Sequence, residues 1–190
     1  MTTLALIRHM PTVWNRDGRL QGRRDTPLDR DAIPPWRLPS ELAGYRFLSS
    51  PLGRAQETAA LLGVEPVPDG RLTEMSWGDW EGHTLRELRS TFADIDELEA
   101  QGLDFRAPGG ETPREVQARV APLLAEIAAA GAPTAAFTHK GVIRAVFALA
   151  TGWDMLGKPP HKLSWSAAHL FRLDPAGHPS VECLNISLHH

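Results

Sequence analysis

The sequence predicts an α/β domain with a mostly parallel sheet, helices on both faces and an antiparallel pair at one edge. Three observations lead there. Short apolar runs alternate with helical stretches along most of the chain, as in successive β-α-β units. The first run, residues 4–7, is wholly apolar, which reads as a buried strand. The last two strand-like runs have only a Pro- and Gly-containing turn region between them, which suits an antiparallel hairpin. A length of 190 residues without internal repeat or low-complexity block fits a single domain over 1–190.

The elements follow in order. Strand 4–7 ends in Arg8-His9. Residues 18–44 are rich in Gly, Pro and charge and read as a long surface loop; Pro34, Pro35 and Pro39 oppose a regular helix there. A second strand is expected at 45–48, then a helix over 53–62 stopped by Gly63. The clearest helix is 113–130. Thr112 suits the N-cap, Pro113 the first turn and Glu115 the capping-box position. Val116, Val120, Leu123, Leu124 and Ile127 form one apolar stripe, and Gly131 ends it. A third strand at 134–137 runs through Thr138-His139 into a helix over 141–150, and strands at 169–173 and 181–186 complete the chain.

Composition narrows the function. Hydrophobic residues at 42% and charged residues at 23% support one sizeable core and argue against disorder. A net charge of −3 speaks against nucleic-acid partners and a polybasic membrane face. No apolar run approaches the ~18–20 residues of a spanning helix. The N-terminus meets charge at Arg8, too early for a signal peptide. Cys183, the sole cysteine, forms no internal disulfide and offers no pair for zinc. A cytoplasmic globule is the expectation, and the terminal His189-His190 pair carries no functional reading. The chain holds 17 Arg against 3 Lys. Guanidinium matches phosphate, but Ala, Gly and Pro are also plentiful, so a compositional background explains the excess as well.

The placement of a few of these residues says more. Arg8-His9, Arg54 and His139 each stand at the junction that follows a predicted strand. Parallel strands bring their C-terminal ends to one sheet edge, where ligands of open α/β sheets bind. Helix N-termini add N–H donors and positive dipole ends there. Two guanidiniums, two imidazoles and such termini describe a pocket for a dianion, most simply a phosphoryl group. Neutral imidazole can attack phosphorus and form a phosphohistidine, provided that one ring nitrogen is held as a donor. Cations such as Arg8, Arg54 and a protonated His139 would stabilise the equatorial oxygens, with no metal and no cofactor. A carboxylic acid would then protonate the leaving oxygen.

At these positions the chain resembles a known family. Leu6-Ile7-Arg8-His9-Met10-Pro11-Thr12-Val13-Trp14-Asn15 is similar to the first histidine motif of the histidine phosphatase superfamily, the phosphoglycerate-mutase-like fold. Segment 50–59, with Arg54-Ala55 and Thr58, resembles its arginine motif. Segment 72–82, Leu-Thr-Glu-Met-Ser-Trp-Gly-Asp-Trp-Glu-Gly, is similar to its acid-bearing motif. Segment 138–144 resembles its second histidine motif, and 108–112 a loop that opens the long helix. The resemblance implies a three-layer αβα sandwich with a mixed, mainly parallel sheet. It also implies His9 as phosphoacceptor, Arg8, Arg54 and His139 as phosphoryl ligands, and Glu74 as proton donor, although Asp79 and Glu81 stand close by. Asn15 would be an accessory ligand, and Gln21 and Gly22 would line the substrate mouth. Thr12 and Arg24 complete the expected substrate-side set; Arg19, Arg23 and Arg24 otherwise read as a solvated face.

The chain departs from the family pattern in places. Met10 stands where glycine is usual, so its side chain is expected to narrow the pocket or alter the turn. Pro11 replaces a usually polar residue, and Lys140 adds charge where glycine is common. The Pro-rich stretch 34–39 replaces a helix, so that face is expected to be partly uncovered, as an oligomer contact or a rearranged loop. The implied activity is hydrolysis of a small phosphorylated substrate through phospho-His9. The alternatives are a phosphoglycerate-type mutase and a non-catalytic phospholigand-binding protein. Against the first, only 65 positions separate Glu74 from His139, where mutases of this fold usually carry a longer insertion. Against the second, both His9 and the acid are present.

Overall fold

The structure, a computed structural model, describes residues 1–92 and 95–189; His190, half of the terminal pair, lies outside the described residues. Six strands form one sheet among these residues: β1 (Thr2–Arg8), β2 (Arg46–Ser49), β3 (Val67–Pro68), β4 (Thr134–Thr138), β5 (Ala167–Leu173) and β6 (Pro179–Ser187). Their order is β3-β2-β4-β1-β5-β6. Pairings from β3 to β1 are parallel, while β5 runs antiparallel to both β1 and β6. The mixed, mainly parallel sheet with an antiparallel edge is therefore as expected.

The alternation of side chains along β1 explains the three layers. Leu4 and Leu6 point to one face, Ala5 and Ile7 to the other, and all four are buried. On the first face, helices α5 (Pro113–Ala130) and α6 (Lys140–Thr151) bring Val116, Val120, Leu123, Leu124, Val142 and Phe147 into one core. Helix α5 has the expected boundaries because its cap chemistry is complete. The Thr112 side chain accepts the Glu115 N–H, Glu115 returns a bond to the Thr112 N–H, and Gly131 ends the helix in the left-handed region at φ 67°.

The second face is covered differently from the expectation. Helix α2 (Gly53–Leu61) contributes Ala55 and Ala59, and an irregular segment supplies Leu28, Trp36 and Leu42. Residues 18–44 are thus an irregular, largely exposed segment, as expected, that also sends buried side chains into the core. Trp36 is buried, its Nε1–H donates to His189 Nε2 at 3.2 Å, and the Arg37 N–H donates to the Leu188 carbonyl. The Pro-rich stretch thus caps the second core, and this face is a rearranged loop, not an uncovered one. Proline forbids the helix but leaves the apolar side chains free to pack.

Three short helices went unpredicted: α1 (Val13–Arg16), α3 (Leu85–Thr91) and α4 (Ile95–Glu99). Strand β3, two residues long, also lacked a readable period. Among the described residues no helix is long and apolar enough to cross a membrane.

Candidate active site

Sheet register brings the two histidines together. Arg8 pairs with Thr138 across β1 and β4, and the His9 N–H donates to the Thr138 carbonyl at 3.0 Å. The strands end level, so His9 and His139 leave the same edge, with ring centroids 5.2 Å apart. Both rings are buried. A cleft of about 560 Å³ opens there, lined by Arg8, His9, Asn15, Arg54 and Glu74 among others.

His9 is held by its neighbour. Its Nδ1 lies 2.7 Å from the Met10 carbonyl. A carbonyl only accepts, so Nδ1 carries the proton and Nε2 keeps the lone pair. Burial, then the charges of Arg8 and Arg54, hold the imidazole pKa well below its ordinary value, so the ring is neutral at pH 7. The Met10 N–H donates to Thr58 Oγ1 at 2.8 Å, and that hydroxyl donates to the Arg54 carbonyl at 2.7 Å. Thr58 thereby ties the histidine turn to α2, a role that its place in the motif alone did not disclose. The Met10 side chain is buried in the second core and lies away from the cleft. It neither narrows the pocket nor needs the left-handed φ that would favour glycine.

The arginines are fixed by carbonyl oxygens and aromatic faces. Arg54 Nη1 and Nη2 donate to the carbonyls of Arg24 and Gly22, each at 2.7 Å, and Nη1 lies 3.7 Å from Asp25. Arg8 lies over the Trp165 ring at 5.6 Å. Among the described residues, the buried Nε–H groups of Arg8 and Arg54 have no hydrogen-bond partner, nor has either ring nitrogen of His139. Buried polar atoms left unpaired in one place are what a bound anion would satisfy. Burial, His9 and both arginines hold His139 well below its ordinary pKa. Against the expected protonated His139, the free protein favours a neutral ring, which lies fully buried beside His9 and outside the residues that line the cleft.

Two carboxyl residues line the cleft: exposed Glu99, paired with Arg89 at 3.0 Å, and buried Glu74. Glu74 Oε1 accepts the Met75 N–H at 2.8 Å and the Gly141 N–H at 3.0 Å. Burial pushes its pKa up, against the pull of those bonds and of Arg54 and Arg8. Arg119 steadies the backbone beneath it, donating to the Thr73 carbonyl at 2.6 Å and to Glu111 at 2.7 Å. Glu81 instead accepts the Arg23 N–H at 2.9 Å and the Trp77 N–H at 3.1 Å, clamping the loop whose carbonyls hold Arg54. Asp79 is exposed and outside the cleft.

The remaining predicted residues divide. Asn15, Gln21 and Gly22 line the cleft. Thr12 does not: it is buried, caps α1 and donates to Asn15 Oδ1 at 3.1 Å. Arg24 contributes its carbonyl to Arg54, while its side chain is exposed and outside the lining. Arg19, expected on a solvated face, lines the mouth and donates to the Gly82 carbonyl at 2.6 Å. Arg144, the last residue of the second histidine motif, and Met155 also line the cleft; neither was singled out as a site residue.

Comparison with known proteins bears on the family and the fold. The model of the histidine phosphatase superfamily (branch 1) matches residues 4–186. A "probable phosphoglycerate mutase" of Escherichia coli, GpmB, is 31% identical over 129 residues, 63% of this chain and 60% of that protein. The match thus spans less than two thirds of the length of that relative. The TTHB049 protein of Thermus thermophilus superposes with a TM-score of 0.71 at 31% identity, covering 97% of this chain and 99% of that one. A mycobacterial glucosyl-3-phosphoglycerate phosphatase, solved with VO3, gives a TM-score of 0.81 at 23% identity over 98% and 100% of the two chains, a likeness of fold. With four motifs gathered at one sheet edge and the family match spanning nearly its whole length, the chain belongs to the histidine phosphatase superfamily, branch 1.

Proposed function

We propose that this protein hydrolyses small phosphomonoesters in the cytoplasm through a phosphohistidine at His9, without a metal. One observation carries the reading: a buried neutral imidazole, its Nδ1 proton committed to the Met10 carbonyl, lies in the field of Arg8 and Arg54, whose buried Nε–H groups are unpaired among the described residues. His9 Nε2 attacks phosphorus as the ester P–O bond breaks, and the electron pair leaves on the ester oxygen. Arg8, Arg54 and His139 hold the equatorial oxygens. Glu74, favoured in its neutral form by burial, gives its proton to the leaving oxygen. Glu74 then takes a proton from the water that attacks phosphorus, and the N–P bond breaks to return the pair to Nε2.

The likeness to the probable phosphoglycerate mutase of Escherichia coli favours a second reading, mutase activity, in which the phosphoryl group passes to a bound product. A panel of phosphomonoesters assayed with and without chelator tests the first reading, beside a primed assay of phosphoglycerate interconversion. His9→Ala is expected to abolish both turnover and acid-labile labelling by a radiolabelled ester. A folded His9→Ala protein with normal turnover would overturn the mechanism.

A further inference from the structure

A second concavity, of about 440 Å³, adjoins the cleft. All three lysines of the chain, Lys140, Lys158 and Lys162, line it, together with Arg144, Trp153 and Trp165. In a chain of net charge −3 that otherwise uses arginine, this convergence is not explained by composition. No carboxylate lines the concavity, and none of the four cations makes an ion pair among the described residues. The three lysines are exposed and Arg144 half-buried, so an anion in the concavity would meet four cations with no carboxylate in its wall.

The concavity is continuous with the proposed catalytic centre. Lys140 and Arg144, one turn apart on α6, line both spaces. The Trp165 ring carries Arg8 at 5.6 Å and Lys140 at 5.4 Å, so one indole joins a phosphoryl-facing cation to the second group. Arg144 lies over Trp153 at 5.2 Å.

The wall is also built. Asn185, in the left-handed region at φ 63°, accepts the Ser164 N–H at 2.7 Å and donates from Nδ2 to the Lys162 carbonyl at 3.0 Å. Buried His169 donates from Nε2 to the Ser164 carbonyl at 3.1 Å and accepts the Asn185 N–H at 3.4 Å. These four bonds fix the backbone of the segment that presents Lys162 and Trp165. Trp153 donates to the Leu156 carbonyl at 3.0 Å, anchoring the loop before Lys158.

We propose that this concavity is a second anion subsite, and that preferred substrates are phosphomonoesters carrying a distal phosphate or carboxylate. The inference rests on the phosphatase reading of the cleft. The phosphoryl group to be transferred sits against His9, and the distal anion reaches past Trp165 to Lys158 and Lys162.

The test uses ω-hydroxyalkyl phosphates, ω-carboxyalkyl phosphates and alkanediol bisphosphates of matched length, about three to eight carbons. Each is assayed for turnover on the wild-type protein and titrated by calorimetry into folded His9→Ala protein. A binding and kcat/KM preference on the order of tenfold for one anionic series is expected at its best length, shrinking with added salt. Lys158→Ala/Lys162→Ala is expected to bring that ratio near unity and to leave the ω-hydroxyalkyl phosphates unchanged. Which anionic series wins tells phosphate from carboxylate. Equal affinity across the three series at every length, or a preference untouched by the double substitution, overturns the subsite. Absence of turnover with the preference in binding intact overturns the phosphatase reading alone.

Discussion

Replacing Gly141 by Ala tests the assignment of Glu74 without touching the carboxyl group itself. Gly141 lies in the first turn of α6 and donates to both Glu74 oxygens, at 3.0 and 3.2 Å. Its backbone is not in the left-handed region, so alanine is conformationally acceptable and favours the helix by about 1 kcal/mol. A Cβ there would lie 2.4 Å from Glu74 Oε1 and 3.1 Å from Met75 Cβ. Ordinary contact begins near 3.4 Å, so the carboxylate must move by about 1 Å. A displacement of that size at a reacting group costs roughly 10²-fold in rate, and removal of a general acid roughly 10²–10⁴-fold. Gly141→Ala is therefore expected to lower kcat for alkyl phosphates by about 10²-fold, while thermal unfolding changes little. With p-nitrophenyl phosphate, whose leaving group needs no proton, the loss should be far smaller. Glu74→Gln should show the same dependence on leaving group. Wild-type turnover of alkyl phosphates by a folded Gly141→Ala protein would refute Glu74 as donor from this position, and attention would move to Glu81.

Other expectations can be checked on the same material. Gly22→Ala forces a left-handed residue, φ 54°, to carry a Cβ 1.9 Å from Glu81 Oε1. The loop should shift, Arg54 lose its carbonyl anchors and KM rise by about tenfold, with about 1–2 kcal/mol of stability lost to backbone strain alone; an unchanged KM would count against the clamp. Met10→Gly, which restores the usual family residue, should destabilise by about 2–5 kcal/mol through the cavity left in the second core. Because Met10 lies outside the cleft, kcat/KM for small esters should hold; a marked gain for bulky esters would show that the side chain does gate the pocket. His169, whose pKa burial depresses to about 4, favours the neutral ring in the fold. The unfolded chain takes up that proton near its ordinary pKa of about 6.5. Stability from this group is thus complete above that value and is lost as pH falls towards 4, by up to about 3 kcal/mol. Denaturant unfolding from pH 7.5 to 4 should show a steeper slope for wild type than for His169→Asn; equal slopes would contradict the burial argument.

How much was legible follows from the range of each interaction. Helix α5 was readable to the residue because its capping box, Pro113 and Gly131 are local signals. The meeting of His9, Arg54 and His139 was readable because parallel strands leave no other edge for their C-terminal ends. In the segment 18–44 the irregular surface chain was readable, but the burial of Leu28, Trp36 and Leu42 was not, because proline announces the loss of helix and says nothing of burial. The resemblance pointed to Glu74, but nothing in the residues themselves separated it from Asp79 and Glu81. Three carboxyls within eight positions differ only in where the backbone turns them, and that is set by Gly141, Arg119 and the Arg23 N–H from distant elements. Met10 gave a false warning for the same reason, since sequence carries the size of a side chain and not its direction. The lysines were visible as a count, but their gathering around Trp153 and Trp165 needed β5, β6 and α6 in place. The sequence by itself determined the α/β fold and the sheet edge at which two histidines and two arginines meet, because local caps and parallel strand ends encode them. Which acid faces them, where Met10 packs and where the lysines converge was decided only by long-range packing.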